Sequence, residues 1–135
     1  MKNKKLILLL MACLFCFFTC NAAGEEKKGV EVTEESYFSE FYTQGNSVVF
    51  ECNLSLRNHE DHPVDFFLVA ISKEDVKNKL LADEHLYAAA EDGDVQLFHI
   101  PAGGELTRKV RLIGKAGGGT KKADRLLPEI HVIFV

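Results

Sequence analysis

Apolar and polar residues alternate along much of this chain, and the alternation is clearest at Ser47–Arg57. There Val48, Phe50, Cys52, Leu54 and Leu56 interleave with Val49, Glu51, Asn53, Ser55 and Arg57. A period of two over eleven residues is the mark of a strand with one buried face. Tyr37–Thr43 is aromatic-rich and closes at Gln44–Gly45–Asn46, a turn signal. After a polar break at Asn58–Pro63 comes Val64–Ile71, apolar enough to predict a strand buried on both faces. Asp94–Ile100, Glu105–Ile113 and Ile130–Val135 complete six strand candidates, the fourth stopped by Pro101–Ala102–Gly103–Gly104.

One helix is expected between them. Ser72 can cap it, Asp75 follows three residues on, and Val76, Leu80 and Tyr87 share a face that Gly93 would end. Asp83 interrupts the stripe, so a shorter helix followed by an extended Leu86–Ala89 segment is the alternative. Six short strands with one helix favour an antiparallel sandwich or partial barrel, since parallel strands need a crossover each. The expected fold is mostly β, an immunoglobulin-like antiparallel β-sandwich with one helical insertion.

The first twenty-three residues follow another pattern. Lys2, Lys4 and Lys5 precede an uncharged run from Leu6 to Phe18, and small or polar residues follow through Ala23. A basic head, an apolar core and a small-residue exit form a secretory signal. The run is short of the ~20 apolar residues of a membrane-spanning helix. Two exits are open. Cys20 stands where a lipoprotein signal places its lipidated cysteine, although Phe17–Phe18–Thr19 departs at two of three positions from the usual Leu and small residues before it; ordinary cleavage after Ala22 or Ala23 is the rival. Leu10–Met11–Ala12–Cys13 also resembles a lipidation box, but it would leave too short an apolar core. The expected organisation is a signal at 1–23, a flexible tether at 24–35 and one domain at 36–135.

Either exit leaves Cys52 as the one cysteine of the domain, so an internal disulfide is excluded. It falls on the apolar face of its strand, where a free thiol behaves as a small hydrophobe.

Phe50–Asn58, the polar turn, Pro63–Leu68 and Phe98–Glu105 together resemble the exported immunoglobulin-like domains of small bacterial lipoproteins. In those a long strand ends in Asn, a hairpin enters a buried strand, and a Pro-Ala-Gly-Glu-like turn opens another. The strand order is also similar to that of bacterial intracellular proteinase inhibitors. The resemblance implies a sandwich and transfers no functional residue.

Charge separates along the chain. Residues 24–105 hold 18 acidic and 6 basic residues, whereas 106–135 hold 2 acidic and 7 basic. Lys115, Lys121 and Lys122 lie in the glycine-rich loop Gly114–Lys122, and Arg125 just beyond it. Glycine loops expose backbone N–H groups and, with lysines nearby, can hold anions. The bland reading is that these bases balance acidic strands of the same domain. The loop is not a Walker motif, because Gly119 precedes Thr120 and Lys121 instead of Lys and Ser/Thr. Nucleic acid is a poor partner for an exported chain of net charge −4.

His59–Glu60–Asp61–His62 offers metal-ligand types, but lacks helical H-E-x-x-H spacing and sits in a turn, so no metal is expected. Met1 and Met11 lie in the signal, which removes the usual axial ligand of a blue-copper site. No G-x-S-x-G elbow surrounds any serine and no Cys–His signature surrounds Cys52, so neither an enzyme nor a cofactor is expected. Two functions follow. One is an envelope binding module that contacts a protein or anionic polymer through Lys115, Lys121, Lys122 and Arg125, reaching a membrane only through a lipid on Cys20. The other is an inhibitor or immunity-type protein acting through the Asn58–Pro63 or Pro101–Glu105 loops.

Overall fold

A computed structural model describes residues 28–135. The expected signal at 1–23 with Cys20, and residues 24–27 of the expected tether, lie outside the described residues.

The strands are β1 (Val30–Val32), β2 (Tyr37–Gln44), β3 (Ser47–Asn58), β4 (Val64–Ile71), β5 (His85–Ala89), β6 (Phe98–Ile100), β7 (Glu105–Lys115) and β8 (Glu129–Phe134). One helix, α1 (Lys73–Lys77), lies between β4 and β5. Every pairing is antiparallel, in the order β8-β4-β5-β7-β3-β1, with β2 also on β3 and β6 also on β4. The pairings join all eight strands in one sheet that curls into a nearly closed, barrel-like form.

The β3–β7 ladder is the spine, in register from Ser47↔Lys115 to Arg57↔Glu105. On the far side of β3, β2 covers its first half and β1 its end, and β2 turns into β3 through Gly45–Asn46 with Gly45 at φ 62°. Between β1 and β2, the backbone of Ser55 is satisfied by Ser36 Oγ, which accepts from its N–H, and by Thr33 N, which donates to its carbonyl. Even-numbered residues of β3 and β4 point inward. Val48, Phe50, Cys52, Leu54 and Leu56 meet Val64, Phe66, Leu68 and Ala70, with Val110 and Leu112 of β7 closing the core. Phe66 stacks on Phe98 at 5.5 Å, and Phe38 meets Phe50 edge to face at 5.8 Å. Each buried large side chain contributes roughly 1.5–3 kcal/mol.

Three expectations change, and one open alternative is decided. Val30–Val32 is a strand and not tether, because the end of β3 needs a partner and both valines pack against the core. β4 is buried on one face only: Asp65 is exposed and Phe67, Val69 and Ile71 are half-buried. The Asp94–Ile100 strand shrinks to Phe98–Ile100, because Asp94 is spent on a turn, its carbonyl accepting from Ala90 N, with Gly93 at φ 90°. Of the two readings of the helical region, the short helix with an extended following segment is the one that forms. α1 stops after five residues at Asn78 and Lys79, the latter left-handed at φ 68°, and His85–Ala89 is strand β5.

Candidate functional site

β7 ends at Lys115, and the chain then runs antiparallel to the segment leaving α1. Ala82 N donates to Lys115 O, Leu81 bridges Ala116, Gly117 N donates to Leu80 O at 3.0 Å and Gly119 N to Lys79 O at 2.7 Å. Asn78 Nδ2 donates to Lys121 O at 2.8 Å. The glycines are there for contact. A Cβ on Gly117 would stand 2.7 Å from Lys79 O, and one on Gly119 equally close. Two of the N–H groups that an anion nest would offer are therefore turned onto carbonyls of the chain itself.

The four expected cations divide. Lys122 is not on the surface: its side chain is 6% exposed and enters the core end between aromatic rings, Nζ lying 4.8 Å from the Phe50 centroid and 5.2 Å from that of Phe38. It pairs with Asp75 at 2.9 Å, and Asp75 is fully buried. Ser72 Oγ also donates to Asp75 Oδ2, and Ala123 N donates to Asp75 Oδ1 at 2.8 Å. Burial alone would raise the Asp75 carboxyl. The hydrogen bonds from Ser72, Lys122 and Ala123, with the Lys122 charge, outweigh it and hold the group below its ordinary value. A buried charge needs such a full set of partners. Arg125 is exposed but pinned, Nη2 donating to Ser39 O at 2.9 Å with the guanidinium 5.6 Å from the Phe38 ring. Of the four, Lys115 and Lys121 face solvent without a carboxylate at salt-bridge distance among the described residues, as do Lys73 and Lys79 on the neighbouring segment. The loop is thus a held platform that presents two lysines.

At the opposite end, Asn58 is buried at the tip of β3. Its Nδ2 donates to the carbonyls of His62, Ile100 and Pro101, and its Oδ1 accepts from Glu60 N. The Asn58–Pro63 and Pro101–Glu105 loops, separate in sequence, are thereby locked together, with Gly103 N donating to Glu60 O as well. His59 turns to Glu31 at 2.7 Å while the exposed His62 lies beside Asp61 at 3.1 Å, so the two imidazoles have separate carboxylate partners. Among the described residues no three His, Cys, Asp or Glu side chains are grouped to hold a metal ion. Cys52 is buried, and desolvation pushes its thiol up to about 12 despite the opposing Lys122 charge.

Sequence reasoning missed Asn58 and Asp75. Asn58 did carry a signal, since it is the next even position on the apolar face of β3. Asp75 carried one only for Ser72, three residues before it, to which it does bond; its pairing with Lys122, 47 residues away in a loop with no period, carried none. Among the described residues no helix is long and apolar enough to cross a membrane. No protein family, curated protein or solved structure matches the chain.

Proposed function

We propose that this chain is an exported, non-enzymatic binding module of the cell envelope, which contacts an anionic partner, a protein or an envelope polymer, through Lys115 and Lys121. Arg125 flanks that surface, and Lys122 anchors it from inside. The observation that carries the reading is a rigidly packed loop holding two lysines that the protein itself leaves unpaired. Preorganised charge favours binding because little motion is lost on contact. The expected outcome is salt-sensitive binding to an anionic polymer or acidic protein that weakens severalfold with Lys115→Glu and Lys121→Glu together. Binding indifferent to salt and to both changes would overturn it.

The segment at 1–23 supports export, and Cys20 is the proposed lipid anchor. Intact mass from the native host decides: a diacylated or triacylated chain starting at Cys20 in the membrane fraction means a tethered lipoprotein, and a chain starting at Ala23 or Gly24 in the medium means free secretion. The finer kinship to immunoglobulin-like exported domains belongs to the same proposal.

One observation favours a second reading, an inhibitor or immunity-type protein. Asn58 joins the two candidate loops into one fixed surface, which suits recognition of a rigid partner. A pull-down from the secreted proteins of the producing organism should then yield one stoichiometric protease or toxin; capture of none removes this reading.

A further inference from the structure

Beside Lys115, the outer face of the sheet carries a groove of about 530 Å³ lined by Asn46, Asp83, His85, Tyr87, Ile113 and Lys115 among others. Its floor is apolar although it faces outward. Tyr87 is cross-strand neighbour to Ile113 on one side and Val69 on the other, and Ile113 is neighbour to Val49, which is fully buried. Its rim is polar and varied. Asp83 Oδ1 accepts from His85 N at 2.9 Å and lies 3.0 Å from His85 Nδ1. The His85 N–H and imidazole, with the Lys115 charge, hold the Asp83 carboxyl below its ordinary value.

We propose that this groove binds a saccharide unit bearing a carboxylate, an acidic hexose of a polymer, which deepens the binding function above and rests on it. A pyranose ring has an apolar C–H face and a rim of hydroxyls. An aromatic floor of Tyr87 and Ile113 suits the face, and a few placed polar groups fix orientation. Asp83 accepts from hydroxyls, Asn46 both donates and accepts, and His85 exchanges with either. Lys115, without a salt bridge, supplies a charge-assisted bond to the sugar carboxylate. The volume lies within the range of small-ligand sites and suits one or two sugar rings.

The test is titration of the folded domain with tri-galacturonate and with neutral galactotriose, read by amide chemical shifts and calorimetry. The acidic trimer is expected to perturb Asp83, His85, Tyr87 and Lys115 in the wild-type chain and to bind at least tenfold more tightly than the neutral one. Tyr87→Ala should abolish binding, Lys115→Gln should erase the preference for the acid, and Lys28→Gln, an exposed cation at the other end of β3, should change neither. If Tyr87→Ala fails to fold, the wild-type shift map decides. Shifts spread over Lys115 and Lys121 alike, or equal displacement by polyphosphate with no role for Tyr87, would overturn the saccharide site while leaving the lysine surface standing. No binding of any polyanion would remove both.

Discussion

Asn58 and Asp75 show what a single buried polar residue does when all of its hydrogen bonds are made. Asn58→Ala removes the donor to the carbonyls of His62, Ile100 and Pro101, the last of which keeps Gly104 N, and the acceptor of the Glu60 N–H, at a cost of about 2–3 kcal/mol in urea unfolding. Asn58→Asp should be no better, because it turns a carboxylate toward three carbonyl oxygens. Asp75→Asn leaves the buried Lys122 charge with only the more distant, half-exposed Asp124 at 3.6 Å, and is expected to cost about 3 kcal/mol, whereas Asp75→Leu with Lys122→Met should recover most of that loss. The sign with pH follows from the lowered Asp75 carboxyl. Its contribution is fully present above the unfolded value of about 4 and is lost as pH falls through the lower folded value. An acid unfolding midpoint that Asp75→Asn leaves unmoved would contradict this. Cys52, its thiol pushed up to about 12, should escape a thiol reagent until the chain unfolds, so that labelling followed by mass spectrometry reports the unfolding rate.

Elements behave according to the direction of their backbone groups. Val135 N donates to Asp65 O, and in an antiparallel ladder bonding alternates, so the odd residues of β8 bond to β4 while Ile130, Val132 and Phe134 turn their backbone groups off the edge. Val132→Pro therefore removes a donor that β4 does not use, and His131→Pro removes one that it does. The second variant should be less stable than the first by about 1–3 kcal/mol on thermal or urea unfolding. Equal losses would mean that the register of β8 is shifted. Glycines 117 and 119 obey a different rule, since a methyl group at either meets the backbone of residues 78–81. Ala at these positions should displace the loop and with it Lys121, and amide shifts of Asn78–Leu81 would report it.

At the scale of the molecule, the curled sheet places the lysine loop and the Asn58-locked loops at opposite ends of β3, which keeps the two proposed surfaces independent. Substitutions at Lys115 and Lys121 should leave stability unchanged while altering partner binding, and changes at Asn58 should do the reverse. The strands were legible in the sequence because alternation is a local consequence of burying one face: β3, β4 and β7 lie within three residues of their expected bounds. So was the burial of Cys52, from its phase alone. β1 was not, since three residues carry too little pattern, and the full length of Asp94–Ile100 failed because a turn took its first residues. The four cations could be counted in the chain, but not their roles. Composition and spacing determined that this is an antiparallel β domain with a basic last quarter. Only the tertiary structure decided that all strands share one sheet, that Lys122 is a core anchor and not a contact, and that Asn58 joins distant loops. The last two depend on contacts between residues more than forty positions apart, and the single sheet on ladders such as that of Ala70↔Leu86, sixteen apart, about which a local period carries no information.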